Sequence, residues 1–191
     1  MNRLLRFFAY AILSLPMVLV HQATENIWGS GAVGLIAFVV LYAIDFWITV
    51  AAHEAGHAVA AYSFGWKISY VGVFPVAYRL EEKKFSSWTR SSGDLGGVVA
   101  ITATPGKTRQ KSAVVYCAGP VANFALAAIA VSLAMISPPA IGDIVGSVAV
   151  MSLLVGIGNL IPWRARNGSK SDGAILLSLM KNRPLPKRKF A

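Results

Sequence analysis

The sequence predicts an α-helical integral membrane protein: about four transmembrane helices and a broken C-terminal segment, with a small cytoplasmic-side β-hairpin or sheet between the second and third helices. Three observations carry that expectation. The 191 residues are 55% hydrophobic and 14% charged, with a mean hydropathy of +0.58, a composition foreign to soluble domains. The apolar residues gather into long runs at 4–20, 31–64, 113–136 and 141–161, and ~20 residues suffice to cross a hydrocarbon core about 30 Å thick. Between the second and third runs the apolar period changes from helical to alternating.

Taken in order, the first run opens after Arg3 and Arg6 and resembles a signal peptide. No small-residue cleavage site follows at Val20-His21-Gln22-Ala23, so a retained span is expected, kinked at Pro16. His21 to Ser30 reads as a short polar link. The second helix starts at Gly31 and ends at Gly65-Trp66, a helix-stop glycine followed by an interfacial aromatic. Ile68 to Phe74 alternates and Gly97 to Ala103 is rich in β-branched residues, which predicts strands; Glu81 to Lys84 reads as a solvated turn and Ser86 to Gly97 as loop. Thr104-Pro105 is expected to cap the third helix. Ser137-Pro138-Pro139 links it to the fourth, which Pro162 interrupts before a last apolar run, 174–180, and a basic tail. One domain is expected over 1–191: a first span and link (1–30), a core (31–180) and the tail (181–191).

The formal charge of +10 raises the question of nucleic acid, but aromatic-interleaved basic patches are absent, and no nucleic-acid partner is expected. The charge instead follows membrane topology. All 18 Lys and Arg residues lie in the amino-terminal segment (Arg3 and Arg6), within 67–111 or after Ile161; the links 21–30 and 137–140 have none. By the positive-inside rule both termini are cytoplasmic in a multi-pass protein, and the second helix ends at the cytoplasmic face. Cys117 is a lone cysteine in an apolar run, which excludes an intrachain disulfide and suggests a buried thiol.

The chemistry concentrates at His53-Glu54-Ala55-Gly56-His57. Positions i and i+4 lie about 40° apart on one helix face, so both imidazoles can grip one zinc ion while Glu54 faces its open side. Three ionisable residues in five at membrane depth are costly, at roughly 2.5 kcal/mol or more each, and call for a ligand or a reaction. A rise of ~1.5 Å per residue sets His57 about 12 Å and His53 about 18 Å from the helix end at Gly65. A catalytic zinc wants a third protein ligand. His21, Glu25 and Asp143 lie towards the opposite face, and Glu81 and Glu82 sit among lysines. Asp45, two turns before His53, is either a supporting partner or a buried acid paired with another span. Asp94 and Asp172 remain. Asp94 also reads as a turn residue, and Asp172 equally as an N-cap of the helix 174–180. On the third helix Asn123, ~15 Å or more from the cytoplasmic end, lies at the same depth; its amide could stabilise an oxyanion, hold substrate backbone or bond a neighbouring helix.

These residues resemble the site-2 protease family of intramembrane zinc metalloproteases. The likeness is carried by His53-Glu54-Ala55-Gly56-His57, Gly119-Pro120-Val121-Ala122-Asn123, and Asn159-Leu160-Ile161-Pro162 followed by Asp172-Gly173. It implies one zinc ion per chain held by His53, His57 and Asp172, with Glu54 as general base and Asn123 positioning substrate or transition state. It also implies a membrane-protein substrate cut within a transmembrane segment, in a lipid bilayer, with a prokaryotic cell membrane as the expected location. In one respect the chain departs from the family: a longer basic link, Trp163 to Lys170, leads to Ser171-Asp172-Gly173 where a short Pro-rich link ending Leu-Asp-Gly is usual. Neither 67–111 nor the tail has room for an added PDZ or nucleotide-sensing domain, so a minimal core is expected. A metal transporter is the rival from another class, disfavoured because the ligands cluster in one layer; a non-catalytic adaptor is disfavoured because every motif residue is intact.

Overall fold

A computed structural model describes residues 3–87, 97–101, 108–164 and 168–181, with side chains described from Ser14 onward except that of Ser87. Helix α1 (Arg3–Trp28) is followed by α2 (Ala32–Ser63), four strands, and helices α3 (Arg109–Ile136), α4 (Pro139–Leu160) and α5 (Asp172–Met180). Among the described residues three helices, α2, α3 and α4, are long and apolar enough to cross a membrane.

The expected link at His21 is helical as far as Trp28. No Gly or Pro interrupts residues 21–28, the Thr24 hydroxyl donates to His21 O at 2.9 Å, and His21 and Glu25 pair at 3.5 Å one turn apart. The helix stops where Gly29 takes φ +76°. Helix α2 closes as the sequence predicts: Gly65 adopts φ +71°, and the Trp66 N–H reaches Ala61 O at 3.0 Å, the bond of a Schellman C-cap.

The alternating stretch forms β1 (Ile68–Val73), joined by β2 (Val76–Arg79), β3 (Lys84–Ser87) and β4 (Gly97–Ile101). All pairings are antiparallel, in the order β3-β2-β1-β4. The acidic-basic turn falls at 80–83, with exposed ion pairs Lys67–Glu81 at 2.8 Å and Arg79–Glu82 at 3.0 Å. Of the expected loop 86–97, Ser86 and Ser87 belong to β3 and residues 88–96 lie outside the described residues, Asp94 among them. The cap expected at Thr104-Pro105 also lies outside them. At the described start of α3 the Thr108 hydroxyl accepts from Lys111 N–H at 3.2 Å, an N-cap bond. Pro139 occupies the first position of α4, where its missing N–H costs nothing.

The chain divides into two compact units, Met1–Thr49 with Asn123–Val155, and Val50–Ala122 with Gly156–Ala191. In the first, two polar pairs join α2 to α4: Ser147 donates to the buried Asp45 carboxylate, and Thr49 and Ser152 share a hydrogen bond of 3.1 Å. Asp45 is thus a buried acid bonded to another helix, the second of its two expected roles. In the other unit the sheet is anchored by a cluster of Ala61, Trp66, Ile68, Val99 and Val115. There α2 and α3 approach closely at Gly56, where a Cβ would collide with the Ala118 carbonyl and the Ala122 methyl. Cys117 is half-buried rather than buried.

Candidate metal centre

The helical period sets His53 and His57 on one face of α2. Their Nε2 atoms lie 3.1 Å apart, with the rings edge to face and centroids 4.7 Å apart. Asp172 arrives from the first turn of α5, its Oδ2 lying 3.0 Å from His53 Nε2 and 3.3 Å from His57 Nε2. All three residues are buried. Among the described residues they are the one group of three whose donor atoms, within 4.8 Å of one another, could hold a metal ion.

The spacing itself tests the fit. Zinc bonds to nitrogen and oxygen of ~2.0–2.1 Å, arranged tetrahedrally, separate neighbouring ligand atoms by about 3.3 Å. The three edges found, 3.0, 3.1 and 3.3 Å, form a triangle of that size. The tautomer fits as well: His57 Nδ1–H donates to Val115 O at 2.7 Å, which leaves the Nε2 lone pair towards the cluster. Pro120 lies inside α3 and cannot donate to the carbonyl of Tyr116, the residue after Val115.

The two readings of Asp172 separate here. Ser171 caps α5, its hydroxyl accepting from Ala174 N–H, and the Asp172 carboxylate goes to the imidazoles instead. Two glycines make room around the cluster. A Cβ on Gly119 would stand 2.6 Å from His57 Cε1 and 2.8 Å from His53 Nε2. One on Gly97, at the start of β4, would stand 2.6 Å from both Cγ and Oε1 of the buried Glu54. Glu54 therefore lies against the first residue of a strand whose other edge, among the described residues, has no partner strand. Asn123 is fully buried on α3, one helical turn beyond Gly119.

The Val115 carbonyl and Gly97 escaped the sequence reading. A main-chain acceptor has no residue-type signature, and a glycine opening a strand reads only as punctuation. The capping role of Ser171 was open to detection, since a serine directly before an apolar run is an N-cap signal.

Residues 41–145 match Peptidase family M50. That span includes the His53 pentad and the Gly119–Asn123 stretch but ends before Asp172. No curated protein and no solved structure matches the chain.

Proposed function

The chain belongs to peptidase family M50, the site-2 protease family, and from that premise we propose that it hydrolyses peptide bonds within or beside transmembrane segments of membrane-protein substrates, using one zinc ion. The observation that carries the proposal is the convergence of His53 and His57 with Asp172, 119 residues beyond His53 in the chain, on a triangle of zinc-ligand dimensions.

In this reading His53, His57 and Asp172 hold the ion, which when bound supplies Lewis acidity towards water and the scissile carbonyl. Glu54 is the general base: it takes the proton of the attacking water and returns it to the leaving amine, a role worth about 10²–10⁴ in rate. His57 Nδ1–H, held by Val115 O, keeps its ring oriented. Asn123 positions substrate backbone or a developing oxyanion; its support is the Gly-Pro-Val-Ala-Asn stretch and its complete burial.

A substrate helix shields its own amides and must unwind before attack. An extended segment can add to a sheet edge through main-chain hydrogen bonds. Strand β1 has no free edge for it, because it is paired on both sides by β2 and β4. Gly97–Ile101 keeps an open edge among the described residues, and its first residue touches Glu54. We place α1 as a fourth span, with both termini cytoplasmic, on the basic-residue distribution.

The test is purified Glu54→Gln protein in detergent with a transmembrane-segment substrate. Zinc content is expected to stay at the wild-type level while cleavage falls at least ~100-fold. Undiminished proteolysis would refute the base assignment, and a wild-type protein without zinc would refute the metalloprotease reading itself.

A further inference from the structure

We propose that Ser171 is the positioning residue of the Asp172 ligand: its hydroxyl ties the end of α4 to the start of α5 and so sets where the carboxylate stands. The inference rests on the His/His/Asp reading above and adds to it the group that holds its most distant member.

Pro162 stops α4, and the chain leaves and returns before α5 begins. The return is closed as a small antiparallel bridge, Arg164 against Lys170, with the Ser171 N–H donating to Trp163 O at 3.2 Å. On this closure the Ser171 hydroxyl makes three further bonds. It donates to Ile161 O at 2.7 Å and accepts from Trp163 N–H at 3.1 Å and from Ala174 N–H at 3.2 Å. A serine hydroxyl has one proton and two acceptor lone pairs. All are used here, at 3% exposure; the Trp163 carbonyl, at 3.5 Å, is a more distant alternative acceptor.

Capping α5 needs only the bond to Ala174 N–H. The other two reach across to Ile161 and Trp163, on the far side of the loop, and a pure cap would have no use for them. Neighbouring contacts tighten the same junction. Trp163 Nε1–H donates back to Gly158 O at 3.1 Å, and Gly173 lies so close to the Leu160 carbonyl that no Cβ would fit. Asp172 therefore stands between two residues, Ser171 and Gly173, each fixed to the last turn of α4 or its immediate continuation, and its carboxylate has little freedom except towards His53 and His57. The link from Trp163 to Lys170 leaves many ways to place its end, at a cost in closure entropy, and the Ser171 bonds remove that freedom.

The test uses full-length protein in detergent, loaded with Co²⁺ as a spectroscopic stand-in for zinc, and compares wild type with Asp172→Ala, Ser171→Ala and Ser171→Thr. Groups that orient ligands typically carry 10–100-fold in metal affinity, so Ser171→Ala is expected to bind Co²⁺ at least about tenfold more weakly. Its d–d spectrum should shift towards that of Asp172→Ala, while helix content stays unchanged. Ser171→Thr, which keeps the hydroxyl, should recover both affinity and spectrum. If Ser171→Ala matches wild type in both, Ser171 is only a cap and the proposal fails. If Asp172→Ala itself matches wild type, the underlying ligand set fails first. Should Ser171→Ala not fold, amide hydrogen exchange on the wild type decides: the Trp163 and Ala174 amides should slow together, at least tenfold, when Co²⁺ is added, and exchange indifferent to metal would overturn the proposal.

Discussion

Two buried aspartates are held in opposite ways. Asp172, 8% exposed, meets two imidazoles; Asp45, 2% exposed, accepts from the hydroxyl of Ser147 on another helix. Both are carboxylates removed from water, and burial by itself does not distinguish them. Their partners do. Imidazole nitrogens at ligand spacing make a place for a cation, whereas a hydroxyl at the end of an acid makes a pin between helices. A buried acid in an apolar protein is thus a question, and the donor set around it is the answer.

The sharpest way to break this contrast is to remove each acid in turn. Asp172→Ala should lower zinc affinity by more than the ~100-fold that follows loss of groups merely supporting a ligand, and Asp45→Ala should leave it at the wild-type value. Competition against a chelator of known affinity measures both. Equal losses would mean that Asp45 also serves the metal, and equal retention that Asp172 does not. A comparable effect is expected from Gly119→Ala, since its added methyl would press on both imidazoles. Zinc should be lost while circular dichroism keeps its helical amplitude, and a zinc-replete Gly119→Ala protein would show that the imidazoles can give way.

The same contrast explains what could be read from the sequence. His53, Glu54 and His57 were legible because helical periodicity alone puts them together; their relation is local and needs no tertiary information. The end of α2, the start of β1 and the turn near Glu81 were legible for the same reason, each announced by a glycine, an alternation or a charge cluster. Asp172 was not. Its two readings differed only in whether a carboxylate turned towards its own helix or towards another, and that depended on Ser171 taking the cap. Nor could composition show that residues 21–28 continue α1: polar side chains suggested a link, but nothing there forbids a helix, and the stop waits for Gly29. Thr108 was overlooked as a cap of α3 because Thr104-Pro105 offers the stronger signal. Residues 102–107 lie outside the described part of the chain.

The smallest effects should come from the pins. Interhelical hydrogen bonds within membranes average about 0.6 kcal/mol and reach about 1.7 kcal/mol, so Thr49→Val, which removes the hydroxyl facing Ser152, should destabilise the protein by less than ~1 kcal/mol in that range. Asp45→Asn keeps an oxygen able to accept from Ser147 and should cost less than Asp45→Ala, which leaves Ser147 only the Ile144 carbonyl, 2.6 Å away. A double-mutant cycle over Asp45 and Ser147, read by reversible unfolding in detergent with zinc content followed in parallel, isolates the pair. Coupling of about 1 kcal/mol with constant zinc content is the outcome for a pin. Coupling that appears in zinc content as well would join Asp45 to the metal centre and end the distinction between the two acids.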